Sequence, residues 1–446
     1  MGGTAALLRT ELAHRLEEAR ARTDRFFGLI AESALYERAI PERHRIVFYL
    51  GHLEAFDWNL IGRRVTGLDS FHPAFDQLFA FGIDPVDGQL PSDVPGDWPS
   101  LDQVLAYRNQ VRARVDECLA HADPAEDRPY QIAIEHRLMH AETLAYMLPH
   151  LPPECFTRAA RVRPDQQPGP PEPGYGRTGG PGAVRRIAIP AGRVTLGMPR
   201  AGAGFGWDNE LGESVVDVPA FTIEARNVTH REFLAFVRAG GYDDPRLWTA
   251  EDLAWKTSHE VTHPVLWRKR ADGWWQRASF VELPLPLDWP VQVSLAEARA
   301  YAHWKGRRLP TEAELQRATY GSRAGGERAY AWGDAAPDPL RHGNFDFVRW
   351  DPAPVGGYPE GDSAFGVADL TGNGWEWTST VFEPLPGFVR DSLYPGYSEP
   401  FFDGKHHVIH GASAQTDRVF LRRSFRNWFQ PHYPYVFAAF RCVDHA

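Results

Sequence analysis

Residues 129–151 read PYQIAIEHRLMHAETLAYMLPHL, and their reading decides the fold of the first part of the chain. Apolar side chains recur along the run at helical spacing, which predicts one long helix. His136 and His140 stand four positions apart within it. At about 100° per residue their rings lie about 40° apart and can point at one spot, whereas Glu142, about 200° beyond His140, belongs to another face. A metal ion or an ordinary core could hold such a pair, and the spacing alone leaves both open.

Working outward, three more segments carry the same periodicity: ALLRTELAHRLEEARARTDRFFGLI (6–30), RHRIVFYLGHLEAFDWNLIGRRV (43–65) and SLDQVLAYRNQVRARVDECLAHA (100–122). Together with 129–151 they predict an antiparallel four-helix bundle. The second of these helices offers a third imidazole. His52 lies in FYLGHLEAFDWN, where a histidine is costly unless its nitrogens are paired; His44, in PERHRIV, reads in the same way. Facing helices are where bundles build metal sites. Three neutral imidazoles leave positions open on an octahedral ion, which suits Fe(II) meeting O2 and substrates, with zinc and a bound water as the competitor.

Beyond the bundle, RPDQQPGPPEPGYGRTGGPGA (163–183) is too rich in proline and glycine for regular structure and reads as a linker. From residue 184 the texture changes to short β-type runs such as RRIAIPAGRVTLGM (185–198), a few helices such as SLAEARAYAHWKG (294–306), and long loops rich in Gly, Pro and Trp. This predicts an α+β domain held by aromatic packing, with loops long enough to carry function. The expected domains are therefore 1–162, the linker 163–183, and 184–446.

Bulk properties narrow the class. With 446 residues, 43% hydrophobic and 24% charged, the chain can bury more than one core. A net charge of −10, with arginines scattered among carboxylates, argues against a nucleic-acid partner. No apolar run of about 18 residues predicts a membrane span. The charged start MGGTAALLRTELAHRLEEARART lacks the pattern of a secretory leader, so a cytoplasmic location is expected. Cys118, Cys155 and Cys442 are too few and too far apart for a disulfide framework or a Cys-x-x-Cys zinc site.

The motifs also carry a resemblance. GHLEAFDWN (51–59) and EHRLMHAET (135–143) resemble the DinB-like bundle. PVQVSLAEARAYAHWKGRRLPTEAELQRAT (290–319), YAWGD (330–334), GNFD (343–346), VGGYPEGDSAFGVADLTGNGWEWTS (355–379) and FRNWFQPHYPYVFAAFRC (425–442) resemble the formylglycine-generating-enzyme-like domain, a C-type-lectin-like fold. The two in this order are similar to the ergothioneine sulfoxide synthases and the selenoneine synthases that branch from them. Those iron enzymes join a thiol or selenol donor to the imidazole of hercynine (Nα-trimethylhistidine) using O2.

What the resemblance implies is specific. Fe(II) would be held by His52, His136 and His140, with Glu142 supporting the site from outside the ligand set. A tyrosine between the GNxWEWT motif and the last arginine-rich strand donates a proton or hydrogen in the family; SLYPGYSEPFFDG (392–404) offers Tyr397, the preferred residue, and Tyr394. Asn427, Trp428 and Phe429 fall on the stretch that lines the hercynine pocket, where a tryptophan face suits a quaternary ammonium. A lone Cys442 in this half speaks against the cysteine-pair chemistry of the formylglycine-generating enzymes.

Departures from the family pattern concern the donor. Met139 stands where many members have glutamine, and the loop GIDPVDGQLPSDVPGDWPS (82–100) lacks the arginines that would clamp γ-glutamylcysteine. The usual NWD reads Asn427-Trp428-Phe429, and RGGSWAT reads HGASAQT (410–416). A pocket stripped of ionic clamps implies a donor other than γ-glutamylcysteine, with a selenosugar or free cysteine as the options. The rival readings are a zinc-dependent DinB-type thiol transferase, which needs no oxygen, and a non-catalytic binding protein whose histidines merely pack.

Overall fold

A computed structural model describes residues 2–80, 90–161, 184–202 and 204–444, so the 163–183 linker and most of the first half of the 82–100 loop lie outside the described residues. The chain divides into two compact units, residues 1–163 with 279–281, and 164–278 with 282–446.

In the first unit the expected helices form as α1 (Gly2–Phe27), α2 (Ile46–Asp57), α4 (Leu101–His121) and α5 (Arg128–Met147), with a short α3 (Pro73–Leu78) and a terminal α6 (Arg158–Arg161). Local chemistry marks their ends. Ser100 caps α4 and exchanges hydrogen bonds with Gln103, and Pro129 occupies the first turn of α5, where a missing N–H costs nothing. α2 is buried on nearly every side and runs on into a π-helical stretch, Trp58–Val65.

Side-chain pairs give the helix directions. Arg9 meets Ala122 and Arg112 meets Asp24, so α1 and α4 are antiparallel; Arg43 meets Tyr146 and Arg137 meets Glu54, so α2 and α5 are too. Phe48 packs on Trp98, Glu54 on Arg112 and Trp58 on Arg114, so α2 and α4 run the same way. The expectation of a purely antiparallel bundle is corrected on this point. Two parallel neighbours need a return connection, and the described residues 66–80, which include α3, and 90–100 belong to it.

The second unit combines helices α7 (His230–Arg238), α8 (Ala250–Ser258), α9 (Leu295–Trp304) and α10 (Glu312–Tyr320) with short strands. Ser294/Glu297 and Thr311/Glu314 form reciprocal caps that start α9 and α10 where the sequence turns from loop to periodic. The strands are β1 (Arg186–Ile189), β2 (Gly192–Leu196), β3 (Ser214–Val218), β4 (Phe221–Glu224), β5 (Trp267–Arg270), β6 (Gly273–Arg277), β7 (Glu282–Pro284), β8 (Gly374–Val381), β9 (His407–Ala412), β10 (Asn427–Phe429) and β11 (Ala438–Ala439). The largest sheet has the order β10-β9-β8-β11, with β11 parallel to β8 and the other pairs antiparallel. β8 is GWEWTSTV, whose Trp375 and Trp377 are fully buried and whose Glu376 is neutralised by Arg441 at 2.6 Å. Among the described residues no helix is long and apolar enough to cross a membrane.

Candidate functional site

The first unit brings His52, His136 and His140 together. Their side chains are buried, their ring centroids lie 4.5 to 5.3 Å apart, and one nitrogen of each falls within 4.8 Å of the others. Antiparallel crossing of α2 and α5 produces this, because one turn of α2 then faces the two-turn ledge on which His136 and His140 sit one above the other. His44, the other histidine near α2, packs instead against Phe48 and Trp98.

Local packing orients each ring. His52 Nδ1 lies 2.7 Å from the carbonyl oxygen of Phe79, so Nδ1–H donates there and the Nε2 lone pair is left for an ion, the usual way a ligating imidazole is held in one tautomer. Phe79 can come this close because residue 51 is glycine: a Cβ on Gly51 would sit 2.4 Å from the Phe79 ring. The His52 ring stacks on Phe48 at 4.8 Å, and Phe56 lies on the His136 ring at 3.5 Å and 11°.

Electrostatics keep the rings neutral, as ligands must be. Burial lowers the pKa of His52 to about 4, and burial with neighbouring imidazoles and Arg137 holds His136 well below its ordinary value. His140 is lowered for the same reasons, with Arg43 adding to the effect. His136 Nε2 and His140 Nε2 are 3.1 Å apart. Bonds of about 2.1 Å to one ion put neighbouring ligand atoms about 3.0 to 3.4 Å apart, so this pair is close enough to share a metal. The donor set therefore fits a metal ion.

In the second unit Tyr397, Tyr394 and Trp428 share one aromatic cluster. Tyr397 is buried, stacks on Trp207 at 3.9 Å and meets Trp428 edge-on at 5.4 Å, while the half-buried Tyr394 lies 5.8 Å from Tyr397. One face of Trp428 is covered by Phe382, stacked at 4.2 Å and 8°, and Phe401 lies beside it at 5.5 Å. The face under Phe382 is closed to a cation. The three residues of β10 do not act as one surface: Phe429 stacks on Tyr433, as alternation along a strand requires, and the Asn427 side chain accepts from the Trp428 N–H.

Sequence reasoning missed several of these parts. Trp207 and Asp208 belong to FGWDNELG (205–212), a run it left unassigned. Asp208 accepts the hydroxyl of Ser398 and the backbone N–H of Asp391 and so pins the segment on which Tyr397 rides; burial raises its pKa. Phe382 and Phe79 were equally unforeseen, since one acts through ring overlap and the other through its backbone.

Of the positions that depart from the family pattern, His410 is engaged by its neighbours. His410 lies 3.1 Å from Glu312, which Arg426 grips through two nitrogens at 2.7 and 3.0 Å. Burial opposes ionisation of Glu312, but the Arg426 charge and the hydrogen bonds from Arg426 and His410 outweigh it and hold its pKa at about 2. Arg422 is likewise paired with Glu210. These arginines are spent internally.

Comparison with known proteins agrees with both halves. A model described as the sulfatase-modifying factor enzyme 1-like domain matches residues 181–446, and one described as the DinB superfamily matches residues 15–151. Over 451 residues the chain is 34% identical to a hercynine oxygenase of Mycolicibacterium thermoresistibile, covering 99% of this chain and 96% of that protein. It is 32% identical to a hercynine oxygenase of Mycobacterium tuberculosis, covering 97% and 98%. It is also 28% identical to ergothioneine biosynthesis protein 1 of Neurospora crassa over 93% of this chain and 55% of that longer protein.

Proposed function

Because the chain belongs to the ergothioneine sulfoxide synthase family, which includes the hercynine oxygenases, we propose that it is a mononuclear non-heme iron enzyme that uses O2 to form a C–S or C–Se bond on the imidazole of hercynine. The observation that carries this reading is the convergence of three buried, neutral imidazole nitrogens, with the tautomer of His52 fixed from outside. His52, His136 and His140 would hold Fe(II). Bound there, the ion would supply redox chemistry with O2 and lower the pKa of a thiol or selenol brought beside the hercynine ring. The buried triad excludes bulk water, and proximity of the two substrates then does much of the work.

On the second unit, Tyr397 is the proposed proton donor, with Tyr394 as the alternative. The packing supports Tyr397, whose ring is clamped by Trp207 and whose segment is pinned by Asp208. Trp428 is proposed to face the trimethylammonium group with the side of the indole away from Phe382. The donor is proposed to lack the two carboxylates of γ-glutamylcysteine: Arg422 and Arg426 are already engaged, and residues 82–100 contain no lysine or arginine. A selenosugar, giving a selenoneine synthase, or free cysteine, giving a sulfoxide synthase, fits that requirement.

The test is aerobic incubation of the iron-loaded chain with hercynine and, in parallel, cysteine, γ-glutamylcysteine and a selenosugar, with products read by mass. Product with either of the first and last donors supports the reading. Product with γ-glutamylcysteine alone refutes the donor assignment, and turnover that persists without oxygen in the zinc-loaded chain favours a thiol transferase instead.

A further inference from the structure

Arg137 stands between the two histidines of α5, and its side chain is 1% exposed. Its guanidinium donates to Asp57 Oδ2 at 2.6 Å, to Glu54 Oε1 at 3.1 Å and to the Leu53 carbonyl at 3.2 Å. Glu54 also accepts from Arg112 of α4, at 2.8 and 3.1 Å, and Arg112 grips both oxygens of Asp24 on α1 at 2.7 and 2.8 Å. Five charged groups from four helices thus form one chain through the bundle.

Stability is a poor explanation for such a chain, because desolvating buried ion pairs costs about as much as their attraction returns, and apolar packing of equal volume does as well or better. Register is the better-attested use of buried charge. Leu53 and Glu54 follow His52 directly, and Arg137 follows His136 directly. The guanidinium therefore ties together the same two turns that carry the proposed ligands. Its planar fork spreads these bonds over two nitrogens, one serving Glu54 and the other Asp57 and the Leu53 carbonyl, a spacing the single nitrogen of an ammonium does not have. Sliding α2 by one residue along α5 would break all three bonds.

We infer that Arg137 is a positioning residue for the metal: it fixes the register of α2 against α5 so that His52 meets His136 and His140 before any ion arrives. The inference rests on the proposed ligand role of the triad, and the test separates the two. Co(II), whose visible spectrum reports coordination, is titrated into the full-length wild-type chain and into Arg137→Lys, Asp57→Asn and Val111→Ala. The last is a buried α4 residue outside the charge chain, serving as a control for general loosening. Thermal melts confirm folding of each.

The expected result is one Co(II) per wild-type chain, about 10- to 100-fold weaker binding with an altered spectrum for Arg137→Lys and Asp57→Asn, and near-normal affinity and spectrum for Val111→Ala. Should Arg137→Lys not fold, Asp57→Asn decides, since it is isosteric and changes one oxygen. Wild-type affinity and spectrum in the folded Asp57→Asn chain would overturn the inference and leave the triad standing. Failure of the wild type to bind Co(II) would overturn both.

Discussion

Replacing Gly51 with alanine puts the tautomer lock under load. The new Cβ would lie 2.4 to 2.5 Å from three atoms of the Phe79 ring. Ordinary carbon contacts begin at about 3.5 Å, so ring or backbone must give by about 1 Å. The ring has little room, being fully buried among Phe48, Phe75, Trp98 and Tyr107 at centroid distances of 5.6 to 6.5 Å. The displacement passes to the backbone, and a carbonyl now 2.7 Å from His52 Nδ1 moves to about 3.7 Å, outside hydrogen-bonding range. Overpacking costs about 1–3 kcal/mol and the lost bond about 1, against about 1 gained when alanine replaces glycine inside a helix. The net is about 2 kcal/mol of destabilisation, or about 4–8 °C in the melting temperature of a unit this size. Metal affinity should fall about tenfold or more, as for other partners of ligating imidazoles. Thermal melts followed by circular dichroism, with Co(II) titration of the same samples, measure both. A melting temperature that rises, as helix propensity alone demands, with unchanged affinity would refute the reasoning.

Three further outcomes follow from the site. His52→Ala should abolish metal binding while leaving a folded chain, and an enzyme with this change that kept full activity would contradict the ligand assignment. In the metal-free protein the lowered pKa of His52, about 4 when folded against about 6.5 when unfolded, means that the unfolded chain takes up the proton first. Stability is therefore untouched above about pH 6.5 and falls as pH drops towards 4, by about 3 kcal/mol for this group. Urea denaturation of wild type and His52→Asn across that window reads the effect as the difference between their slopes, and parallel profiles would sink it. Tyr397→Phe should leave metal binding intact and impair bond formation; if Tyr394→Phe does so instead, the roles of the two tyrosines are exchanged.

Much of this was legible in the chain because its chemistry is periodic. Four helices announced themselves by apolar recurrence, and the His136–His140 pair by its spacing; His52 stood out as a costly residue in an apolar helix. What stayed hidden acts across distance or through atoms that carry no letter. The Phe79 carbonyl belongs to the backbone, the parallel course of α2 and α4 depends on a connection rather than on either helix, and Trp207 meets Tyr397 from 190 residues away. Arg137 was in plain view beside His136, yet one charge inside an apolar run names neither of its partners on α2. The rewriting at His410 could be read as a change of residue, but not as an internal bond to Glu312.

The return connection between α2 and α4 has a consequence for how such an enzyme can be altered. A stretch that merely joins two helices is where insertions and swaps are usually tolerated, and it is where a designer would first cut to admit a bulkier co-substrate. Here that stretch also supplies the oxygen that tells His52 which nitrogen to present. Grafts that leave Pro73–Phe79 intact should spare the His52 tautomer, whereas grafts that reach into those seven residues should first be noticed as a protein that binds a metal ion less well.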